Sequence, residues 1–250
     1  MKRVAYLTLL LLLLTSLVVG SFAMYLYSRR DTGAVPSAYL AGLASLKPYE
    51  VHYAGPDSDA VCLRAYHYIK SSSAVRFIAK EANSRYSLQD NLVYLTDDSV
   101  LYDSIEAVHE FGHALDRALC DQDCDYFSRQ STFTDAYATD CLAMQDTFHI
   151  DGLFRTEAYR NLAVSDIVFA VFYGDTKRTD ALTASYITAG TPYWRHEDDY
   201  MADLANRQTE VFANLFTILL SDDDTAKKFL ETYFPTCKDE ILCSIKAKKW

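Results

Sequence analysis

Residues 109–113 read His-Glu-Phe-Gly-His. On an α-helix, side chains four apart lie one turn above each other, so the imidazoles of His109 and His113 can converge on one metal ion. Glu110 sets a carboxylate beside that ion, where it can take the proton of an activated water. The chemistry implied is hydrolysis, with one catalytic Zn²⁺. Gly112 costs a helix about 1 kcal/mol against Ala, which suits a position where space is needed. By chance the motif should occur in about one in a hundred chains of this length at average residue usage, and would then be a helix with two exposed histidines. Context favours the metal: Ile105, Val108, Ala114, Leu115 and Leu119 follow a helical period, and the run follows a strand-like segment, NLVYLT.

A catalytic zinc site takes a third protein ligand and leaves one position open. The continuation His-x-x-Gly-x-x-His is absent, because Asp116 stands where its glycine would be and Leu119 where its histidine would be. Asp116 shares the histidine face and suits an acceptor for an imidazole N–H better than a ligand. The strongest distant candidate is Glu210, whose helix carries Val211, Phe212, Leu215, Phe216 and Leu219. A carboxylate beside so much apolar surface wants a compensating cation. Glu157 and the group Glu197, Asp198 and Asp199 have polar surroundings that need no metal. His149 and His196 could ligate, but each reads as a surface histidine.

The elements that must position these groups are legible in outline. Strands are expected at 49–53, 75–79 and 91–96, and helices from Asp57 or Ser58 to Ile69 and over 101–119. An irregular polar stretch follows to about Phe148. Helical patches then run over 157–174, with Gly174 as a stop, and further helices over about 202–220, 223–233 and 237–247, the last two separated by Pro235. The pattern is an α+β domain with a small sheet and a mostly helical C-terminal half.

The first residues are a different material. From Val4 to Tyr27 no charge interrupts the chain, and Lys2, Arg3, Arg29 and Arg30 flank the run. Residues 1–30 therefore read as a signal peptide or an N-terminal membrane anchor, with Ser21-Phe22-Ala23 offering small residues for cleavage. Residues 31–48, with Pro36 and Pro48, form a linker, and the folded domain occupies 49–250. This organisation places the domain outside the cytoplasm, secreted or anchored to the membrane. Six cysteines downstream of an export signal fit up to three disulfides. A cysteine-only zinc site lacks its C-x-x-C pair, and reduced core cysteines are the other reading. A net charge of -10 excludes a nucleic-acid partner, whose phosphates need a basic footprint. The 19 tyrosines suit a cleft for extended peptide as well as ordinary packing.

Taken together, NLVYLTDDSVLYDSIEAVHEFGHALD, SDIVFAVFYG, PYW, TEVFANLF and LETYFPT resemble the lethal-factor-like zinc metallopeptidases, which include the anthrax lethal factor catalytic domain and the Pro-Pro endopeptidases. The resemblance covers roughly residues 75–245 and is most specific at HEFGHALD and E-x-F-A-x-x-F. It implies a zincin-like fold and a gluzincin-type site, with His109, His113 and Glu210 as zinc ligands and Glu110 as general base. The interval from His113 to Glu210 is longer than in those relatives, which implies an insertion around 120–195 that roofs or flanks the cleft. The relatives also carry an oxyanion-stabilising tyrosine shortly before the glutamate. Asp203 stands there in this chain and has no proton to donate when ionised, so Tyr200 and Tyr193 are the nearest substitutes. The expected activity is endopeptidase cleavage of a protein or peptide substrate, with the 91–96 strand pairing with extended peptide. Two alternatives stand beside it: a surface-displayed zinc-binding module without turnover, and a secreted toxin or competition protease.

Overall fold

Asp59 opens the first helix by accepting from the backbone N–H groups of Val61 and Cys62, which satisfies two donors that no helical turn can reach. This helix, α1 (Ala60–Ser72), leads into a three-stranded sheet of β1 (Ala74–Ile78), β2 (Arg85–Ser87) and β3 (Leu92–Thr96). The computed structural model describes residues 51–78, 84–96, 104–120 and 124–248. The expected leader 1–30 and linker 31–48 lie outside them. Among the described residues no helix is long and apolar enough to cross a membrane.

The strand order is β1-β3-β2, with β1 parallel and β2 antiparallel to β3. The apolar strand 91–96 is thus the interior one, and both its edges are taken. It cannot also pair with a peptide, and the expectation that it would is corrected. The outer side of β2 has no strand partner among the described residues. Of the strand expected at 49–53, residues 49 and 50 lie outside the described residues, and Tyr53 makes an isolated bridge to Ser221, extended by hydrogen bonds from Ala54 N to Leu220 O and from Asp222 N to His52 O.

The rest is helical: α2 (Ile105–Leu119), a 3₁₀ turn (Phe127–Arg129), α3 (Ser131–Thr147), α4 (Ile150–Leu153), a second 3₁₀ turn (Glu157–Arg160), α5 (Leu162–Val171), α6 (Thr176–Ala189), α7 (Asp198–Met201), α8 (Leu204–Leu220), α9 (Asp224–Tyr233) and α10 (Pro235–Ala247). A small sheet with this many helices is the α+β class expected. The stretch read as irregular, up to Phe148, is the 17-residue helix α3. Its buried stripe of Phe133, Ala136, Tyr137, Asp140, Cys141 and Met144 has a helical period, but Asp140 interrupts it and Thr and Asp dilute the rest.

The core is organised around α8, buried at every position from Gln208 to Leu220. It packs most extensively against α2 and next against α5, which is buried from Ala163 to Val171. The stretch 120–195 is therefore no simple roof over the cleft: its helix α5 forms part of the core. One disulfide, Cys120–Cys124, closes the end of α2, and Arg117 Nη1 donates to the Cys124 carbonyl from inside the helix. Cys62, Cys141 and Cys237 are free and buried and Cys243 is free and exposed, so of the up to three disulfides expected one is formed. Those buried thiols behave as small apolar core residues.

Candidate metal centre

Helix α2 begins where Ser104 accepts from Ala107 N, and from Ala107 to Asp116 every residue is buried. The reason is Gly112. A Cβ built there would meet Ala213 Cα at 3.0 Å and its carbonyl oxygen at 3.2 Å, so the backbones of α2 and α8 touch. This approach sets Glu210, one turn before Ala213, against the histidines. The glycine serves helix packing rather than open space above the site.

The three expected ligands meet there. His109 Nε2 lies 3.1 Å from Glu210 Oε2, His113 Nε2 lies 3.5 Å from the same oxygen, and the two Nε2 atoms are 3.1 Å apart. Tetrahedral zinc with ligands near 2.0–2.1 Å places neighbouring donors about 3.3 Å apart, so this spacing fits the ion. The chemistry of the donors agrees. Asn214 Nδ2 donates to the Asp166 carboxylate at 2.7 Å, which turns Asn214 Oδ1 toward His109 Nδ1 at 3.0 Å. His109 therefore carries a proton on Nδ1 and turns Nε2 toward a carboxylate oxygen, the orientation a metal-binding imidazole needs. Residues His109, His113 and Glu210 could thus hold a metal ion.

The surrounding charges point the same way. Burial alone would lower the His113 imidazole, but the Glu210 carboxylate, with Glu110 and Asp116, lifts it to about 9. Burial would raise Glu210, yet His196 and His113 hold it well below the usual carboxylate range. The pocket favours positive charge next to an ionised glutamate. Glu110 is buried beside the pair and accepts no hydrogen bond from any described residue, as a proton acceptor for water requires.

No protein-family model matches this chain, and no curated protein or solved structure matches it.

The other candidates are placed as follows. Tyr200 donates from its hydroxyl to Glu210 Oε1 at 2.7 Å, so it stands at the ligand set. Burial, then the adjacent Glu210 carboxylate, raises its phenol. Tyr193 packs its ring into an aromatic cluster, 5.1 Å from Tyr186 and 5.4 Å from Phe169. Asp116 is not the acceptor for an imidazole: it takes Ser128 N at 2.7 Å and Ser128 Oγ at 2.6 Å, tying the first 3₁₀ turn to α2. Glu157 pairs with Arg160, Asp198 with Arg195, and Asp199 and His149 are exposed.

His196 corrects the sequence reading most. Its side chain is 32% exposed but is tied into the site: Nδ1 lies 2.9 Å from Asp166 Oδ1 and Nε2 lies 3.4 Å from Glu210 Oε2. Burial would lower its imidazole, but Asp166 and Glu210 raise it to about 10. It arrives on the segment 191–197, which has neither helix nor strand and is held where Trp194 N donates to Ser165 Oγ at 2.8 Å. The Trp194 ring stands edge-on to His109, 5.6 Å between centroids. His196 also lines a cavity of about 230 Å³ with Phe169, Tyr173, Arg195, Asp198 and Met201. The polar neighbours Arg195, Glu197 and Asp198 hid this role in the sequence.

Proposed function

We propose that the chain is a zinc-dependent endopeptidase with a zincin-like active-site arrangement, acting outside the cytoplasm on a protein or peptide substrate. The observation that carries this reading is the convergence of His109, His113 and Glu210 at tetrahedral spacing beside Glu110, whose side chain has no hydrogen-bond partner among the described residues. Zinc held by these three would supply Lewis acidity, polarising a carbonyl and making a water acidic enough to lose a proton near neutral pH.

The chain's own residues do the rest. Glu110 takes the proton of the attacking water and delivers it to the departing amine, so one carboxylate serves as base and then as acid. Tyr200 fixes the orientation of Glu210 through Oε1, leaving Oε2 to face the histidines. The cavity next to His196 supplies room for a substrate side chain. An extended substrate would add at the outer side of β2, since β3 is enclosed. The uncharged N-terminal run and the Cys120–Cys124 disulfide support an export route.

The test is cleavage of an unbiased peptide library by the purified protein, with and without chelator, alongside Glu110→Gln. Cleavage abolished by chelator, restored by zinc and lost in the variant is the expected result. Stoichiometric zinc with no cleavage of any peptide would instead identify a binding module.

A further inference from the structure

Asp166 is wholly buried on α5, a helix whose other buried residues, Ser165 apart, are apolar. A carboxylate in such a place needs donors. Three other buried aspartates find donors on the backbone: Asp116 accepts from Ser128 N at 2.7 Å, Asp140 from Cys237 N at 2.8 Å, and Asp223 from Thr225 N and Ala226 N at 3.0 Å each. Asp166 differs. Its partners among the described residues are two side chains of the metal centre, Asn214 Nδ2 on Oδ2 at 2.7 Å and His196 Nδ1 on Oδ1 at 2.9 Å.

The consequences run outward from the carboxylate. It can only accept, so the Asn214 amide presents NH₂ to it and oxygen to His109, which fixes the His109 proton on Nδ1. Along the second branch Nδ1 of His196 faces Asp166, and its Nε2 is directed at Glu210 Oε2, the oxygen that both zinc-motif histidines face. One buried carboxylate therefore aims two imidazoles at one point, and among the described residues neither the Asn214 amide nor the His196 ring has a further side-chain hydrogen-bond partner.

We propose that Asp166 is the positioning residue of this metal centre, setting the tautomer of His109 through Asn214 and holding His196 against Glu210 on the substrate side. The proposal rests on the reading of His109, His113 and Glu210 as a zinc site. Asp166 and Asn214 then act in series on His109. Loss of either lets the imidazole change tautomer or rotate, and outer partners of this kind typically contribute 10–100-fold in metal affinity.

The experiment compares the full chain with Asp166→Leu, Asn214→Leu and the double variant. Two quantities are read: zinc affinity by competition with a chromogenic chelator, and the His109 tautomer by ¹H–¹⁵N correlation on metal-free protein. Each single variant should bind zinc roughly 10–100-fold more weakly. The double should fall within about twofold of the weaker single, because elements in series do not add. The metal-free protein should show His109 protonated on Nδ1, and both single variants a tautomer mixture, while His196→Ala leaves the His109 proton on Nδ1. Wild-type affinity and tautomer in Asp166→Leu, or fully additive losses, overturn the proposal. Should Asp166→Leu fail to fold, Asp166→Asn keeps the shape and can accept on only one branch, so it should weaken zinc binding and disturb either the His109 or the His196 tautomer; wild-type affinity with both tautomers unchanged overturns the proposal. If the wild type binds no zinc, the metal-site reading fails while the tautomer still decides whether Asp166 positions His109.

Discussion

Glu110 and Asp116 sit on the same helix and are both buried, yet their surroundings assign them opposite work. Glu110 has no described donor, so its lone pairs are available to water; replacing it with Gln keeps shape and removes basicity. General-base catalysis typically contributes 10²–10⁴-fold, so Glu110→Gln should lose about that much turnover with bound zinc unchanged, measured by peptide cleavage and metal content together. Asp116 is tied down by Ser128 and has a structural role. Burial outweighs those two hydrogen bonds and lifts its carboxyl to about 7. A folded-state value above the unfolded one means Asp116 favours the fold in acid, and this contribution is lost as pH rises from about 4 to about 7. Urea midpoints of the wild type should accordingly fall, relative to Asp116→Asn, across that window. Equal slopes for the two proteins would contradict the assignment.

At the scale of elements, the site exists because α2 and α8 touch at Gly112 and Ala213. A methyl at Gly112 meets helix backbone, which can yield only by separating the helices. Overpacking of this kind costs about 1–3 kcal/mol, so Gly112→Ala should lower the urea midpoint and also weaken zinc binding, because Glu210 moves with α8. A second change, Ala213→Gly, should restore part of both. Wild-type zinc affinity in Gly112→Ala would mean that the helix spacing does not set the site. These two helices were legible in the sequence, α2 from its period and motif and α8 from a long apolar run around Glu210. What stayed hidden was a partner that no period announces. Asp166 did leave a signal, a lone carboxylate within LAVSDIVFAV, which reads as an anomaly in a buried helix. His196 left none, because its neighbours are charged and its place is set by Asp166, thirty residues earlier.

For the whole molecule, the ligands come from the two helices that share the largest packing surface, so metal and fold should be coupled. The sequence could propose Glu210 by its apolar setting and by resemblance, but only the tertiary fold brings it to His109, 101 residues away in sequence. The same fold decides which strand is enclosed: β3 is the most apolar of the three and is interior for that reason, leaving the short, polar β2 outermost. An ion that binds the folded state alone stabilises it in proportion to the logarithm of its concentration over Kd, about 4 kcal/mol at a thousandfold excess. For a domain of this size that corresponds to roughly 8–16 °C in Tm. Chelation should therefore lower the Tm of the wild type by that order, zinc should restore it, and Glu210→Gln should shift little with either treatment. A wild-type Tm indifferent to chelator, in protein shown to bind zinc stoichiometrically, would uncouple the ion from the α2–α8 core and leave it a surface ligand. The burial of all three donors argues against that outcome, because an ion held between α2 and α8 would be enclosed by the core rather than lie on the surface.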